Sequence, residues 1–233
     1  MKVEQISQSV WSLSTWLVIP FRVWVVVEPD GVTLIDAGMP FMAKGILSFL
    51  DQLNAGPLKQ ILLTHGHSDH VGAVKRILQA RKVPVYVHAD EIPYMEGKLP
   101  YPRRKKAEVT VMPGVVQPLR EADEGRLETI GGLVPYHTPG HAPGHVVYYH
   151  EEDRVLLAGD LFTSKGGKLH RPMPMFTADM TEAVKSSLIL RELRPVHLEI
   201  CHGKPVKNPA EQLDAYLERT AAAYAIPDSV WKQ

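Results

Sequence analysis

The 233 residues suffice for one substantial hydrophobic core, or for two small domains folded together. Lys plus Arg and Asp plus Glu each number 26, so the formal charge is zero, and neither nucleic acid nor an anionic membrane is favoured electrostatically as a partner. The single cysteine, Cys201, excludes an intramolecular disulfide framework. No compact apolar core with a small-residue cleavage site follows Lys2, and the apolar run 23–27 is far shorter than the about 20 residues a bilayer span needs. The expectation is a cytoplasmic protein acting on a small molecule.

Residues 10–19 and 22–28 are rich in Val, Trp and Thr and predict strands, with Pro29-Asp30-Gly31 as the turn before a short strand over 32–36. Apolar residues at helical spacing predict a helix over 41–53, stopped by Gly56-Pro57. A strand over 60–64, a helix over 71–81 and a β-rich run over 83–88 follow. This alternation of strand and helix argues for a layered α/β fold. Prolines 93, 100, 102, 113 and 118 and the basic run Arg103-Arg104-Lys105-Lys106 make 92–118 an irregular surface excursion. Strands are expected again at 133–137, 146–149, 154–157 and 196–201. Helices are expected at 181–193 and at 209–225, the latter with Pro209 near its first turn. One domain, 1–233, is the simplest account.

The chemistry concentrates in His65-Gly66-His67-Ser68-Asp69-His70. In extended chain, residues i and i+2 point to one side, so His65 and His67 can grip one ion together. Asp69 and His70 then lie on another side of the loop, where the chain turns toward the next helix. Imidazole and carboxylate suit zinc, iron and manganese. With 11 His in the chain and as many Asp, four such matches arise by chance in roughly 5 windows per million, or about once in a thousand chains of this length. Scattered polar loop residues are therefore a poor explanation.

The stretch Thr64-His65-Gly66-His67-Ser68-Asp69-His70-Val71-Gly72 resembles the hallmark motif of the metallo-β-lactamase-fold superfamily. Thr138-Pro139-Gly140-His141 resembles that family's third-histidine motif, Ala158-Gly159-Asp160 its bridging-aspartate motif, and His202-Gly203 its last histidine motif. The resemblance spans nearly the whole chain. It implies a four-layer αββα sandwich with two mixed sheets face to face. It also implies that His65, His67 and His141 hold one divalent ion, that Asp69, His70 and His202 hold a second, and that Asp160 bridges both. Zinc is the first choice of metal, with iron and manganese open. Two ions about 3.5–4 Å apart generate the hydroxide nucleophile themselves, so no catalytic Ser or Cys is required. Asp69 has a second role open to it, as proton shuttle to the leaving group. Asp36, in a segment resembling the family's early acidic motif, either orients a ligand imidazole or caps the helix after Met39.

His145 follows Pro143-Gly144, which reads as a turn, so its expected role is structural. His88 and His137 read as satisfied histidines, Cys201 as a small core residue, and 103–106 as a solvated surface. The excursion 92–118 and the loop 161–178 are expected to roof the site. Tyr94, Phe162, Phe176, Met173 and Met175 would then offer apolar contact to a substrate, and His170 a polar one, beside Lys165, Lys168 and Arg171.

β-Lactam-cleaving members of the superfamily lack the bridging carboxylate, and the run from Ala158 to Phe162 looks instead like the glyoxalase II and lactonase side. Two departures stand out. The chain after His202 has room for one helix and a tail, not for the helical domain that supplies glutathione contacts in glyoxalase II. Thr163 stands where many acyl-homoserine lactonases place a tyrosine. The expectation is a dinuclear metallohydrolase of a small ester, thioester or lactone. The alternative is a mononuclear non-haem iron oxidoreductase resembling the persulfide dioxygenases, which need fewer ligands than the complete set present here.

Overall fold

In the apolar run Val23-Trp24-Val25-Val26, Val23 and Val25 pack against helices while Trp24 and Val26 face a second sheet. Side chains alternate across a strand, and a strand covered on both faces has no polar side to keep. Tyr148 and Val146 point to the same inter-sheet layer, and Val147 and Tyr149 point outward to helices. The layers are therefore helix, sheet, sheet, helix: the four-layer αββα sandwich of the metallo-β-lactamase fold.

The computed structural model describes residues 1–123 and 126–232. Its first sheet runs in chain order through β1 (Lys2–Gln5), β2 (Val10–Trp16), β3 (Pro20–Glu28), β4 (Gly31–Ile35), β5 (Leu58–Leu62), β6 (Val85–Val87) and β7 (Val116–Pro118). The pairs from β1 to β4 are antiparallel, and those from β4 to β7 are parallel. The second sheet contains β8 (Val134–His137), β9 (Val146–His150), β10 (Val155–Leu157), β13 (His197–Glu199) and β14 (Val206–Lys207), with β10 and β13 parallel. A separate hairpin joins β11 (Thr163–Lys165) and β12 (Lys168–His170). Helices α1 (Ala43–Leu53) and α3 (Val74–Ala80) cover the first sheet; α5 (Met180–Ser187), α6 (Ile189–Leu193) and α7 (Leu213–Tyr224) cover the second. No helix among the described residues is long and apolar enough to cross a membrane.

The structure differs from expectation in places that matter for the site. The helix expected over 71–81 starts earlier, as α2 (Ser68–Val71), and resumes as α3 beyond Gly72 and Ala73. Asp69 and His70 are thus inside a helical turn instead of before one. At Gly72 a side chain would meet Pro40 Cδ and the Ser68 carbonyl, so the break packs tightly on the preceding loop. The irregular segment 92–118 contains a short helix, α4 (Ile92–Met95), and adds β7 to the first sheet. Leu188 divides the helix expected over 181–193, and Pro209–Gln212 forms a 3₁₀ turn before α7. Strands β1 and β14 and the β11–β12 hairpin carry too few apolar residues to stand out in sequence.

Candidate metal centre

The ends of β5 and β10, the loop after β8 and the loop after β13 meet at one edge of the sandwich. There they bring two clusters of ligand-type side chains together. In the first, His65 Nε2 and His141 Nε2 each lie 3.0 Å from His67 Nδ1. Ligands of tetrahedral zinc, at about 2.0–2.1 Å, stand about 3.3–3.4 Å from one another. The three nitrogens are thus spaced as if around a common point.

In the second cluster, His202 Nε2 lies 3.1 Å from Asp69 Oδ2 and 3.3 Å from Asp160 Oδ2. His70 Nε2 lies 3.4 Å from Asp160 Oδ1 and 3.8 Å from Asp69 Oδ2. Asp160 also reaches the first cluster, with Oδ2 3.4 Å from His141 Nε2. It is the side chain the two clusters share. Cys201 is buried in the inter-sheet core, as expected, but its sulfur also falls among the ligand-type atoms of His70, Asp160 and His202, within 4.8 Å of each.

The far sides of the rings explain how these lone pairs are aimed. The Pro20 carbonyl can only accept, so His202 donates through Nδ1 (2.9 Å), turning Nε2 to the cluster. Thr64 spends its hydroxyl proton on Asp36 and so accepts from His65 Nδ1, at 3.1 Å. Thr177 spends its own on the Met173 carbonyl and faces His141 Nδ1 at 3.4 Å. Asp36 accepts from His70 Nδ1 at 2.7 Å. Such remote partners fix the tautomer of a metal-binding imidazole. Within the centre, His70 Nε2, His202 Nε2 and Asp160 Oδ1 are buried without a hydrogen bond. Orphaned buried polar atoms cost about 1–3 kcal/mol each, and three at one point fit a metal-binding role.

Electrostatics separate the clusters. Burial pushes His67 down to about 4, offset only in part by Asp69, and His141 down to about 3, offset in part by Asp160. Burial and the neighbouring His70 also hold His65 well below its ordinary value. These three imidazoles are neutral at neutral pH. His70 and His202 go the other way: burial disfavours their charge, but Cys201 and Asp160 beside both, with Asp36 against His70, more than compensate. Burial alone would raise Asp69 and Asp160, yet the same two imidazoles hold Asp69 at about 2 and Asp160 well below the usual carboxylate range.

Asp36 follows β4 in left-handed backbone, at φ +57°. Its Oδ1 accepts the Thr64 amide at 2.8 Å, while Oδ2 takes the Thr64 hydroxyl and His70. Of the two roles open to Asp36 in sequence, the structure has it touching the His70 imidazole, and it caps no helix. His145 is no part of either cluster: its Nε2 accepts the Asp160 amide at 3.2 Å and Nδ1 meets Thr138 Oγ1 at 3.0 Å. It fixes the backbone of Asp160, the structural role expected of it.

Glu91 is a residue that sequence reasoning missed. Its buried carboxylate accepts the amides of Gly66 (2.9 Å) and Gly144 (2.8 Å) and the Tyr101 hydroxyl (2.6 Å). One side chain thereby ties together the two loops that carry His65, His67 and His141. Burial raises Glu91 above the usual carboxylate range, against the three hydrogen bonds that favour its charge. Tyr101 in turn sets its ring edge-on to His67, centroids 4.7 Å apart. A side chain at Gly66 would run into Met95 and the Tyr101 hydroxyl, so the loop between His65 and His67 can pack here only as glycine.

Of the expected substrate contacts, Phe176 and Met175 line a small cavity of 20 Å³ with His67, His141, Tyr101 and Arg103, and Met173 lines a larger one beside His202. Phe162, Tyr94 and His170 are corrected. Phe162 is fully buried and packs edge-on against Tyr216, because the chain after Asp160 dives into the outer core. Tyr94 stacks on Tyr101, centroids 5.0 Å apart, which takes the place beside His67. His170 is paired with Thr163 in the β11–β12 hairpin and is absent from the walls of both cavities at the centre. Arg103, expected in solvent, donates to the carbonyls of Pro174 and Thr177 and latches the two roofing segments together. A third group, His88, Asp90 and His137, lies apart. The two rings stack face to face, centroids 4.0 Å apart and 9° from parallel. In-plane lone pairs of parallel rings do not meet at one ion, so this pair is structural.

This fold and these ligand clusters together define a metal-dependent enzyme. Residues 22–197 match the model of the metallo-beta-lactamase superfamily, and the chain belongs to that superfamily. It is similar to the "Probable metallo-hydrolase YybB" of Bacillus subtilis (strain 168), at 36% identity over 94% of this chain and 99% of that one. A "Hydroxyacylglutathione hydrolase" of Pseudomonas fluorescens (strain SBW25) is 30% identical over 67% of this chain and 53% of its own length. Among solved structures, the metallo-β-lactamase FIM-1 of Pseudomonas aeruginosa in its mono-zinc form superposes with a TM-score of 0.73 at 18% identity, over 97% of this chain and 96% of its own. TTHA1623 in a di-iron-bound form superposes with 0.65 at 28% identity, over 86% and 96%.

Proposed function

We propose that this protein hydrolyses a small ester, thioester or lactone at a dinuclear metal centre. The observation that carries the reading is Asp160, whose two oxygens face His70 on one side and His141 and His202 on the other. His65, His67 and His141 would hold one ion and Asp69, His70 and His202 the other, with Asp160 shared. When bound, two divalent ions supply an activated water and polarise the carbonyl to be cut; zinc is our first choice, and the same donors accept iron or manganese.

The chain's own groups do the rest. Asp69 is the one ligand carboxylate with a solvent-facing part, 25% exposed against 6% for Asp160, so it can pass a proton to the leaving group. Asp36, Thr64, Thr177 and the Pro20 carbonyl hold the imidazoles in register. Tyr101 and Phe176 close the side next to His67 against water. The similarity to a hydroxyacylglutathione hydrolase supports thioester chemistry, and the similarity to a di-iron protein supports two ions. The shared inter-sheet core supports a single domain, and a cytoplasmic setting is part of the same proposal.

The test is metal-loaded protein assayed against p-nitrophenyl esters, lactones and acyl thioesters, with metal content measured in parallel. Turnover of one class with two ions per chain is the expected result. Inactivity on all three overturns the reading. One iron per chain with oxygen uptake on glutathione persulfide would replace it with the dioxygenase.

A further inference from the structure

A carbonyl compound cut between the two clusters has an arm on either side of the broken bond, and the structure treats the two sides unequally. Next to His67 and His141 the free space is only 20 Å³, walled by Tyr101, Arg103 and Phe176. Beyond His202 the surface opens into a groove of 780 Å³. One wall is the β2–β3 hairpin, with Trp16 and Ile19; the other is the β11–β12 hairpin and the loop after His202, with Lys165 and Lys204; Met173 also lines it. A long arm fits only there.

The walls state what that arm is made of. Trp16 is 71% exposed, and the same hairpin tip continues into solvent as Leu17 and Val18. Three adjacent large apolar side chains left in water beside a site are a surface waiting for apolar cover. Among the residues lining the groove none is acidic, and besides His202 of the metal centre four are Lys or Arg. Two of the four are committed elsewhere: Lys2 to Glu4, and Arg22 to Glu199 and the Gly203 carbonyl. Lys165 and Lys204 are exposed and form no ion pair among the described residues. An apolar wall facing two uncommitted ammonium groups complements an amphiphile with an anionic end.

We infer that the substrate carries an extended arm, apolar along its length and ending in a carboxylate or phosphate, and that this arm lies in the groove between Trp16 and the pair Lys165 and Lys204. The inference names the substrate class for the hydrolase proposed above and rests on that reading. The group on the other side of the scissile bond is small.

Binding can be read without turnover, from quenching of Trp16 fluorescence in the metal-loaded protein, with Trp16→Phe protein marking the share due to that residue. Decanoate, decyl phosphate, decanol and decylamine are the probes. Either anion should bind about tenfold tighter than decanol, as two rim ion pairs allow, with decylamine weakest; the tighter anion identifies the end group. In the Lys165→Gln/Lys204→Gln protein that preference should collapse. The ratio of kcat/KM for the monomethyl ester of a dicarboxylic acid against the methyl ester of a monocarboxylic acid should fall in parallel. Equal binding of all four probes overturns the inference, as does a preference for anions that survives in the double variant, which would mean that the anion sits on the metal ions. If no ester, thioester or lactone is hydrolysed but the binding pattern holds, the hydrolase reading fails and the groove stands. If hydrolysis occurs without preference, the groove inference alone fails.

Discussion

The Asp36 carboxylate accepts a hydrogen bond from His70 at 2.7 Å, with both side chains wholly out of solvent. The aspartate is locked by the Thr64 amide and hydroxyl and held in left-handed backbone. Asp36→Asn keeps the size but replaces one acceptor oxygen with a donor, so either Thr64 or His70 loses its partner. Loss of the partner behind a metal-bound imidazole costs about 10–100-fold in metal affinity. The expected outcome of chelator competition is a loss of that size at the ion His70 would hold and a smaller one at the other, which Asp36 reaches only through the Thr64 hydroxyl behind His65. Equal weakening of both ions would sink the idea that Asp36 acts through His70.

Glu91 invites a different test, since it touches no ligand side chain. Glu91→Ala leaves the amides of Gly66 and Gly144 and the Tyr101 hydroxyl without their acceptor, each at a cost of about 1–3 kcal/mol where burial persists. A drop of several degrees in melting temperature is expected from such a loss, but that alone would follow from any buried hydrogen bond. The specific expectation is that the ion held by the three histidines weakens more than the other, and that its visible absorption after cobalt substitution shifts. Glu91→Asp should recover part of both. A stability loss with an unchanged cobalt spectrum would reduce Glu91 to a packing residue.

The two clusters should load metal with different pH dependence. Burial leaves His67 at about 4 and His141 at about 3, so they remain free of protons through mildly acidic pH. His70 and His202 hold their protons more tightly than an ordinary histidine, with Asp160 ionised beside them. A metal ion must displace those protons. Metal titrations should therefore show the first ion still binding at mildly acidic pH where the second no longer binds, with proton release accompanying the second. The sign for folding of the metal-free chain is opposite for the two sets. For His67 and His141, whose folded values lie below 6.5, the unfolded chain binds more protons, so stability is lost as pH falls below 6.5. For His70 and His202, raised above 6.5, the contribution is full below 6.5 and is lost as pH rises through their folded values. Two ions binding with the same pH profile would contradict this division.

How much of this was legible in the sequence follows from which signals are local. His65, His67, His70, His141, Asp160 and His202 stand in short motifs at the ends of apolar strands, and the structure gathers all of them at one edge. The uniform hydrophobicity of 23–26 reflects burial on both faces, but the sandwich itself was expected from the resemblance to the superfamily and not from that run. Glu91 was not legible: it is one acid in an ordinary turn, and its partners are glycine amides distant in sequence. Nor was the break at Gly72, because the apolar spacing around it continues unbroken while the backbone of His70 and Ala73 turns its hydrogen bonds to Ala37 and Gly38.

Phe162 and Phe176 divide the remaining question between stability and binding. Both are aromatic, both follow Asp160 within one loop region, and sequence gave no reason to separate them. Phe162 is fully buried against Tyr216 in the outer core, whereas Phe176 is 43% exposed beside His67 and His141. Truncating a buried phenylalanine costs about 3–5 kcal/mol through lost transfer energy and the cavity left behind. Phe162→Ala should therefore unfold at markedly lower denaturant concentration, while protein that remains folded keeps its KM. Phe176→Ala should change stability by less than about 1 kcal/mol, as surface substitutions do, yet raise KM several-fold for any substrate whose small group lies against the ring. Denaturant titration and steady-state kinetics on both variants separate the two outcomes. An unchanged KM in Phe176→Ala, for every substrate turned over, would leave Tyr101 and Met175 as the apolar wall on that side of the centre.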